Sequence, residues 1–282
     1  MANQAIARNR GLDQYSASLA SVVGSIGSDV FGLQLIDFLN LLCGAEHFSV
    51  FRWQKQAPSE ILAISRDGSD TAHRQFSLYV AGDYWRGDVS MREAISLAEQ
   101  SGLSLRRVDV SNMPVSDFRN RLYGRTHIRE RILLCGELQD SLIGISILRP
   151  EANGLSSDDE LADLNAMSSP LIALIGKHVG FVERRSDFLT ALTSLNVIET
   201  TLSRAHPHLP NRESQVCARI LMAITVAGIA IDLGIGEETV MTYRKRAYER
   251  LNIASQRELL VWYIGEWSRT SGSSAKPLML MH

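Results

Sequence analysis

Residues 209–259 read LPNRESQVCARILMAITVAGIAIDLGIGEETVMTYRKRAYERLNIASQREL. Asn211 stands where it can cap a helix through Arg212, Val216, Ile220 and Leu221, and Thr225 where it can cap a second through Ile229, Ala230 and Leu233. Both residue types accept a hydrogen bond from a free N–H at a helix start. Gly234-Ile235-Gly236 makes a tight turn, a third helix covers Glu237 to Leu251, and a fourth runs from Ser255 to about Ile264. A short helix, a glycine-containing turn and a longer helix form the helix-turn-helix layout, whose second helix is placed to enter a major groove.

Charge along that second helix agrees with such a placement. Arg244, Lys245, Arg246, Arg250 and Arg257 stand against Glu249 and Glu258. Val240, Ala247 and Leu251 fall on one face and are expected inward. Met241, Thr242 and Lys245, with Tyr248 or Glu249, then point outward, and Tyr243, Arg244, Arg246 and Arg250 flank them.

These residues resemble the LuxR/GerE family of transcription regulators. The resemblance rests on Arg212-Glu213, Ile229-Ala230, Leu233-Gly234-Ile235, Thr239-Val240, Arg244-Lys245-Arg246, Leu251 and Arg257-Glu258-Leu259 in register. It implies a phosphate contact from Thr239 and base readout from Met241, Thr242 and Lys245. It also implies double-stranded DNA as partner, a homodimer reading a palindromic site, contact with RNA polymerase, and cytoplasmic location. Six positions depart from the family pattern. Ala223 replaces the glycine that usually ends the first helix, and Gly236 replaces a serine cap. Val226, Ala227 and Gly228 replace polar residues of the second helix, and Met241 stands where lysine is common, which leaves apolar contact such as to a thymine methyl.

Upstream, the periodicity changes repeatedly. Residues 1–28 are expected to be a loosely ordered lead-in with at most one short helix. Val30, Phe31, Leu33, Leu35, Ile36, Phe38, Leu39 and Leu42 then recur at helical spacing, with Asp29 as cap and Gly44 as stop. Alternation over 47–53 and 60–65 predicts a hairpin. Residues 75–100 read as helical with a break at 82–88, Leu105–Val110 as a short strand, and 116–127 as helix or loop. Arg131–Leu138 and Asp140–Arg149 form a second hairpin about a Gln139-Asp140 turn. Ser157-Asp-Asp-Glu160 is a capping box opening a long helix with Leu161, Leu164, Met167, Leu171, Leu174, Ile175 and Val179 in its stripe and a kink at Pro170. The element order is α+β. It resembles the GAF and PAS-like sensor fold or an autoinducer-domain-like α/β/α sandwich. Domains are expected at 29–182 (sensor), 183–208 (helical linker closed by His206-Pro207-His208), 209–265 (four-helix DNA-binding domain) and 266–282 (flexible tail).

The sensor's chemistry is read from one spacing. The autoinducer-binding subgroup carries Trp, then Tyr four residues on, then Asp-Pro. Here Tyr79 and Asp88 keep the Tyr-to-Asp distance, while Gln75 replaces the Trp and Val89 the Pro. A carboxylate beside Tyr79, Tyr84 and Trp85 could receive a ligand amide N–H in an apolar pocket, which makes Tyr79, Tyr84, Trp85 and Asp88 the candidate ligand residues and an acyl-homoserine lactone the candidate ligand. The competing reading places the three aromatics in the core or at a subunit contact. Trp262, Tyr263 and Trp267 read as packing or a dimer contact.

Composition bounds the remainder. The 282 residues are 45% hydrophobic and 21% charged with a net charge of −2, the profile of a soluble globular chain. Residues 1–208 carry 20 Lys+Arg against 24 Asp+Glu, and 209–282 carry 9 against 7, so the average conceals the basic helix. Cys43, Cys135 and Cys217 form no CxxC pair and are expected as buried free thiols. The N-terminus lacks a signal-peptide apolar region, and the uncharged run Ile220–Ile231 is shorter than the ~20 residues a membrane span needs. No G-x-S-x-G, phosphate-binding glycine loop or HExxH is present. No catalytic residue, metal or cofactor is therefore expected. The alternatives are a ligand-independent or protein-interaction regulator with degraded DNA contacts, and an enzyme in residues 29–180.

Overall fold

The computed structural model describes residues 15–53, 57–124, 126–138 and 141–271. The chain divides into two compact units, Met1–Val182 and Glu183–His282.

The first unit is an α/β/α sandwich. Helix α1 (15–24) and α2 (Phe31–Cys43) precede β1 (His47–Trp53) and β2 (Pro58–Ser65). Helices α3 (Thr71–Ala81), α4 (Tyr84–Gly87) and α5 (Val89–Ser101) lead to β3 (Leu103–Asp109). Helix α6 (Asp117–Arg119) runs into a π-turn (Asn120–Gly124), followed by β4 (Ile128–Leu138), β5 (Ser141–Pro150) and α7 (Asp158–Thr193). The sheet order is β2-β1-β5-β4-β3 with every pair antiparallel.

Alternation along the central strands buries both faces. Phe48, Val50, Ile132, Leu134, Ile143, Ile145 and Ile147 pack with α1, α2 and α7. Phe51, Leu133, Cys135, Leu142 and Leu148 pack with α3, α5 and the π-turn. Gly144 lies opposite Phe51 in the ladder, and a Cβ there would sit 2.1 Å from the Phe51 ring. The glycine is what lets that ring lie flat on the sheet.

The α+β expectation matches this architecture, and the capping box is formed. Ser157 N–H donates to Glu160 Oε2 (2.7 Å) and Glu160 N–H to Ser157 Oγ (3.2 Å). Two details differ. Part of the expected lead-in is helix α1, because Tyr15, Leu19 and Val22 share one helical face that seats on the core; residues 1–14 lie outside the described residues. Val30, not Asp29, occupies the cap position of α2 and makes no side-chain cap. The helix is held instead by its apolar face and by Gly44, at φ 63°, whose N–H reaches Asn40 O. The expected long helix is α7, with Pro170 inside it. The Gln139-Asp140 turn lies outside the described residues.

The second unit is helical: α8 (Leu195–Ala205), α9 (Asn211–Leu221), α10 (Val226–Leu233), α11 (Glu237–Leu251) and α12 (Gln256–Ser271). The expected 183–208 linker is corrected here, since Ile198 and Leu202 are fully buried in one core with Val216, Val240, Ala247 and Leu259. The Arg219 guanidinium bridges Glu199 of α8 (2.7 Å) and Asp232 of α10 (2.5 Å), and Tyr263 Oη donates to Ala191 O (2.6 Å). The expected tail is also shorter, because α12 includes 266–271, with Trp267 edge-on to Phe188 at 5.5 Å; residues 272–282 lie outside the described residues. Among the described residues no helix is long and apolar enough to cross a membrane.

Candidate nucleic-acid interface and ligand pocket

Helix α10 starts as its sequence dictates, with Thr225 Oγ1 accepting from Gly228 N–H (3.2 Å). It ends at Gly234, whose left-handed φ of 64° turns the chain within three residues into α11. Asn211 does not cap α9; Pro210 holds the cap position without a side-chain bond, its fixed φ compatible with a helix entry. Ser255 caps α12 by accepting from Glu258 N–H (3.2 Å), while the Glu258 carboxylate accepts from the Ser255 hydroxyl and from Ala254 N–H; the S-x-x-E spacing is in the sequence.

Helix α11 buries Val240, Ala247, Tyr248 and Leu251 and exposes Thr239, Met241, Thr242, Lys245, Arg246, Glu249 and Arg250. Tyr243 and Arg244 are half-buried. Two sequence expectations change. Tyr248 is buried rather than outward, with the Arg244 guanidinium 5.4 Å from its ring centre. Arg250 is tied down, its Nε 3.0 Å from Oε2 of the buried Glu213, so the arginine neutralises a core carboxylate. Thr242 Oγ1 donates to Glu238 O (2.9 Å). Lys245 and Arg246 enter no ion pair among the described residues, and they supply the open positive charge of the exposed face.

In the α/β unit the structure brings together Tyr79 and Asp88. Asp88 caps α5 by accepting from Met91 N–H (3.1 Å), and its other oxygen accepts from Tyr79 Oη (2.9 Å) and Arg131 Nη1 (2.5 Å). Arg131, from β4, also donates through Nε to Ser146 Oγ (3.1 Å) and lies 5.5 Å from the Tyr79 ring centre. Burial alone would raise the Asp88 carboxyl, but the guanidinium and these hydrogen bonds hold it below the usual carboxylate range. Burial pushes Tyr79 upward, and pushes Tyr123 up to about 12.

Beside this group is a cavity of about 40 Å³ whose lining includes Ser49, Gln75, Tyr79, Tyr123, Arg131 and Ser146. Gln75 donates to Leu122 O (2.7 Å) and Thr126 Oγ1 (2.8 Å), pinning the π-turn, while its Oε1 is buried with no partner. The other two candidates lie elsewhere. Tyr84 Oη donates to Asp117 at the exposed surface, and Trp85 packs edge-on against Trp53. Sequence reasoning missed Arg131, the residue that completes the site.

Both units have counterparts among known proteins. The family model of bacterial regulatory proteins, luxR family, matches residues 207–263. A curated Aeromonas salmonicida protein, named as an HTH-type transcriptional regulator in the exeN 3′ region, is 29% identical over 153 residues, 51% of this chain and 76% of that protein. The chain is similar to the VqsR ligand-binding domain of Pseudomonas aeruginosa (13% identity, TM-score 0.46, 60% of this chain and 98% of that one). It is similar also to the N-acylhomoserine lactone-dependent LuxR family factor CepR2 of Burkholderia cenocepacia (10% identity, TM-score 0.44, 61% and 95%). The helical unit of this chain therefore contains, at residues 207–263, a helix-turn-helix domain of the LuxR family.

Proposed function

We propose that the chain is a transcription regulator that reads double-stranded DNA with α11, as a homodimer on a palindromic site, in the cytoplasm and in contact with RNA polymerase. The observation that carries this is the exposed face of α11, with Thr239, Met241, Thr242, Lys245 and Arg246 presented on the second helix of a helix-turn-helix. Met241 and Thr242 supply apolar and hydroxyl contacts to base edges. Lys245 and Arg246 supply charge for which no carboxylate among the described residues competes, and Tyr243 and Arg244 flank them. Arg250 pairs through Nε with Glu213, and the rest of its half-exposed side chain flanks the same face. In this reading the α/β unit modulates the reader and carries no chemical step of its own. A mobility shift on the promoter of its own gene tests the proposal. Lys245→Ala and Arg246→Ala should each weaken binding and lower its salt dependence, whereas absence of salt-sensitive binding by the native chain refutes it.

The input has two readings, and one observation favours the second. Tyr79 and Asp88 could receive the amide of an acyl-homoserine lactone. Yet Asp88 is already occupied by Tyr79, Arg131 and Met91, and the cavity of about 40 Å³ has room for a few waters rather than an acyl chain, since drug-sized ligands fill ~300 Å³ or more. We therefore favour a unit that works with this pocket closed. A lactone at ~100 times its Kd would stabilise the fold by about 2.7 kcal/mol. A flat thermal-shift response across acyl lengths supports the closed pocket, and a clear rise in Tm supports the ligand.

A further inference from the structure

The small cavity of the α/β unit has two kinds of wall from the sheet and helices. Phe51, Phe76 and Met91 make it apolar on one side, and Ser49, Ser146 and Arg131 bring hydroxyl and guanidinium donors. Another side is closed by the π-turn, through Leu122 and Tyr123, both buried. Turns of this kind are rare and concentrate at functional sites. Here one of the turn's carbonyls is taken by a side chain of another element. Gln75 of α3 donates through Nε2 to Leu122 O (2.7 Å) and to Thr126 Oγ1 (2.8 Å), 47 and 51 residues further along the chain. A side-chain amide has two N–H donors, so the whole donor capacity of Gln75 is spent on residues 117–126. A carbonyl accepts only from the nitrogen, which fixes the orientation of the amide.

Other contacts of this strap hold it less firmly. Tyr84 Oη reaches Asp117 at the exposed surface, where water competes for both partners. The edge-on packing of Tyr123 on Phe118 lies within the strap and travels with it. We propose that Gln75 is the latch of this pocket and the residue that decides what enters it; this rests on the closed-pocket reading above. With the latch made, the cavity of about 40 Å³ excludes anything much larger than water. With it broken, the strap lifts and admits a neutral molecule with an apolar tail and a carbonyl head. The tail lies against Phe51, Phe76 and Met91, and the carbonyl accepts from the donors on the opposite wall.

The test uses the full chain and two variants that cut the same bonds from opposite sides, Gln75→Ala and Thr126→Val. Native-state hydrogen exchange at Leu122, Tyr123 and Thr126 reads the strap. It should speed up about 30-fold in Gln75→Ala, which loses two neutral hydrogen bonds, and about fivefold in Thr126→Val, which loses one. The accelerated exchange should be insensitive to low urea, the mark of local opening. Calorimetric titration with N-octanoyl-homoserine lactone reads the pocket. The native chain should give no binding. Apparent affinity scales with the open fraction, so Gln75→Ala should bind about sixfold tighter than Thr126→Val. Strap exchange that is unchanged in both variants, or that rises only with the urea dependence of the core strands, assigns Gln75 a merely structural role and overturns the latch. Faster local exchange with no lactone binding by either variant overturns its role in deciding what enters. Binding by the native chain refutes the closed-pocket reading; the latch survives that result if both variants bind tighter in the stated order, and falls with it if all three bind alike.

Discussion

Substituting Asp88 by Asn tests the ion pair that closes the pocket. Asn is isosteric, caps a helix about as well as Asp, and retains an acceptor for Tyr79, so the change isolates the charge. The side chains of Asp88 and Arg131 are 2% and 5% exposed. Removing one partner leaves the guanidinium buried beside Tyr79 with only a neutral acceptor, at a cost of about 3–5 kcal/mol. For a unit of this size, ~2–4 °C per kcal/mol translates this to a fall in Tm of about 6–20 °C near neutral pH. The pH dependence is a second signature. Asp88 is held below its ordinary range in the folded state, so its contribution is complete above the unfolded carboxylate value of ~3.9 and is lost as pH falls through the folded value. The deficit of the Asn variant should therefore be constant from neutral pH down to that range and shrink below it. Asp88→Asn combined with Arg131→Met should regain most of the loss, since apolar replacement of a buried pair is often neutral. Calorimetric unfolding across this pH range is the assay. A neutral-pH Tm within about 2 °C of the native chain would refute the reasoning, as would a deficit that persists in full at the acid end.

Ala223 adopts φ 56°, a left-handed conformation that costs a non-glycine residue ~1–2 kcal/mol. After allowing for the greater chain entropy of glycine, Ala223→Gly should stabilise the helical unit by about 0.5–1 kcal/mol in urea denaturation. Burial pushes the thiols of Cys43, Cys135 and Cys217 up to about 12. Iodoacetamide at pH 8 should therefore leave the native chain unmodified, with labelling appearing only in denaturant. Gly144→Ala should destabilise the α/β unit by about 1–3 kcal/mol, because the added methyl meets the Phe51 ring at 2.1 Å; equal urea midpoints for variant and native chain would show that the ring has room to move. A fragment beginning at Glu183 should unfold cooperatively, while one beginning at Leu209 should not, as measured by helical circular dichroism during melting.

What the sequence makes legible is local. The span Glu237–Leu251 follows from a glycine turn and a helical period, and the Ser157–Glu160 cap from residues three apart. The errors arise where a distant contact overrides a local signal. Asp29 has the right chemistry for a cap, yet the burial of Phe31 and Leu35 sets the start of α2 one residue later. At the candidate ligand site, Tyr79 and Asp88 are nine residues apart and are legible as a pair. Arg131 lies 43 residues beyond Asp88, on a strand whose two faces are both buried, and nothing local distinguishes a buried arginine from an edge charge. Tyr248 misled for a related reason. Its angular position on α11 is a flank, and whether a flank is covered depends on how closely α10 approaches, which periodicity does not encode.

The segment 183–208 shows the same limit with a consequence for how the helical unit is defined. Two prolines in Pro207-His208-Leu209-Pro210 end a helix and mark a boundary to any reading of local propensity, and the family model begins at 207. Packing crosses that mark. Ile198 and Leu202 are fully buried against the same side chains that support α11, each contributing about 1.5–3 kcal/mol of burial. Arg219, from α9, would lose Glu199, and the Tyr263 hydroxyl would lose its carbonyl partner if the chain began at 209. A domain of some 60 residues is marginal to begin with, and losses of this size are comparable to its whole stability. The helix preceding the prolines is thus part of the platform that orients α11.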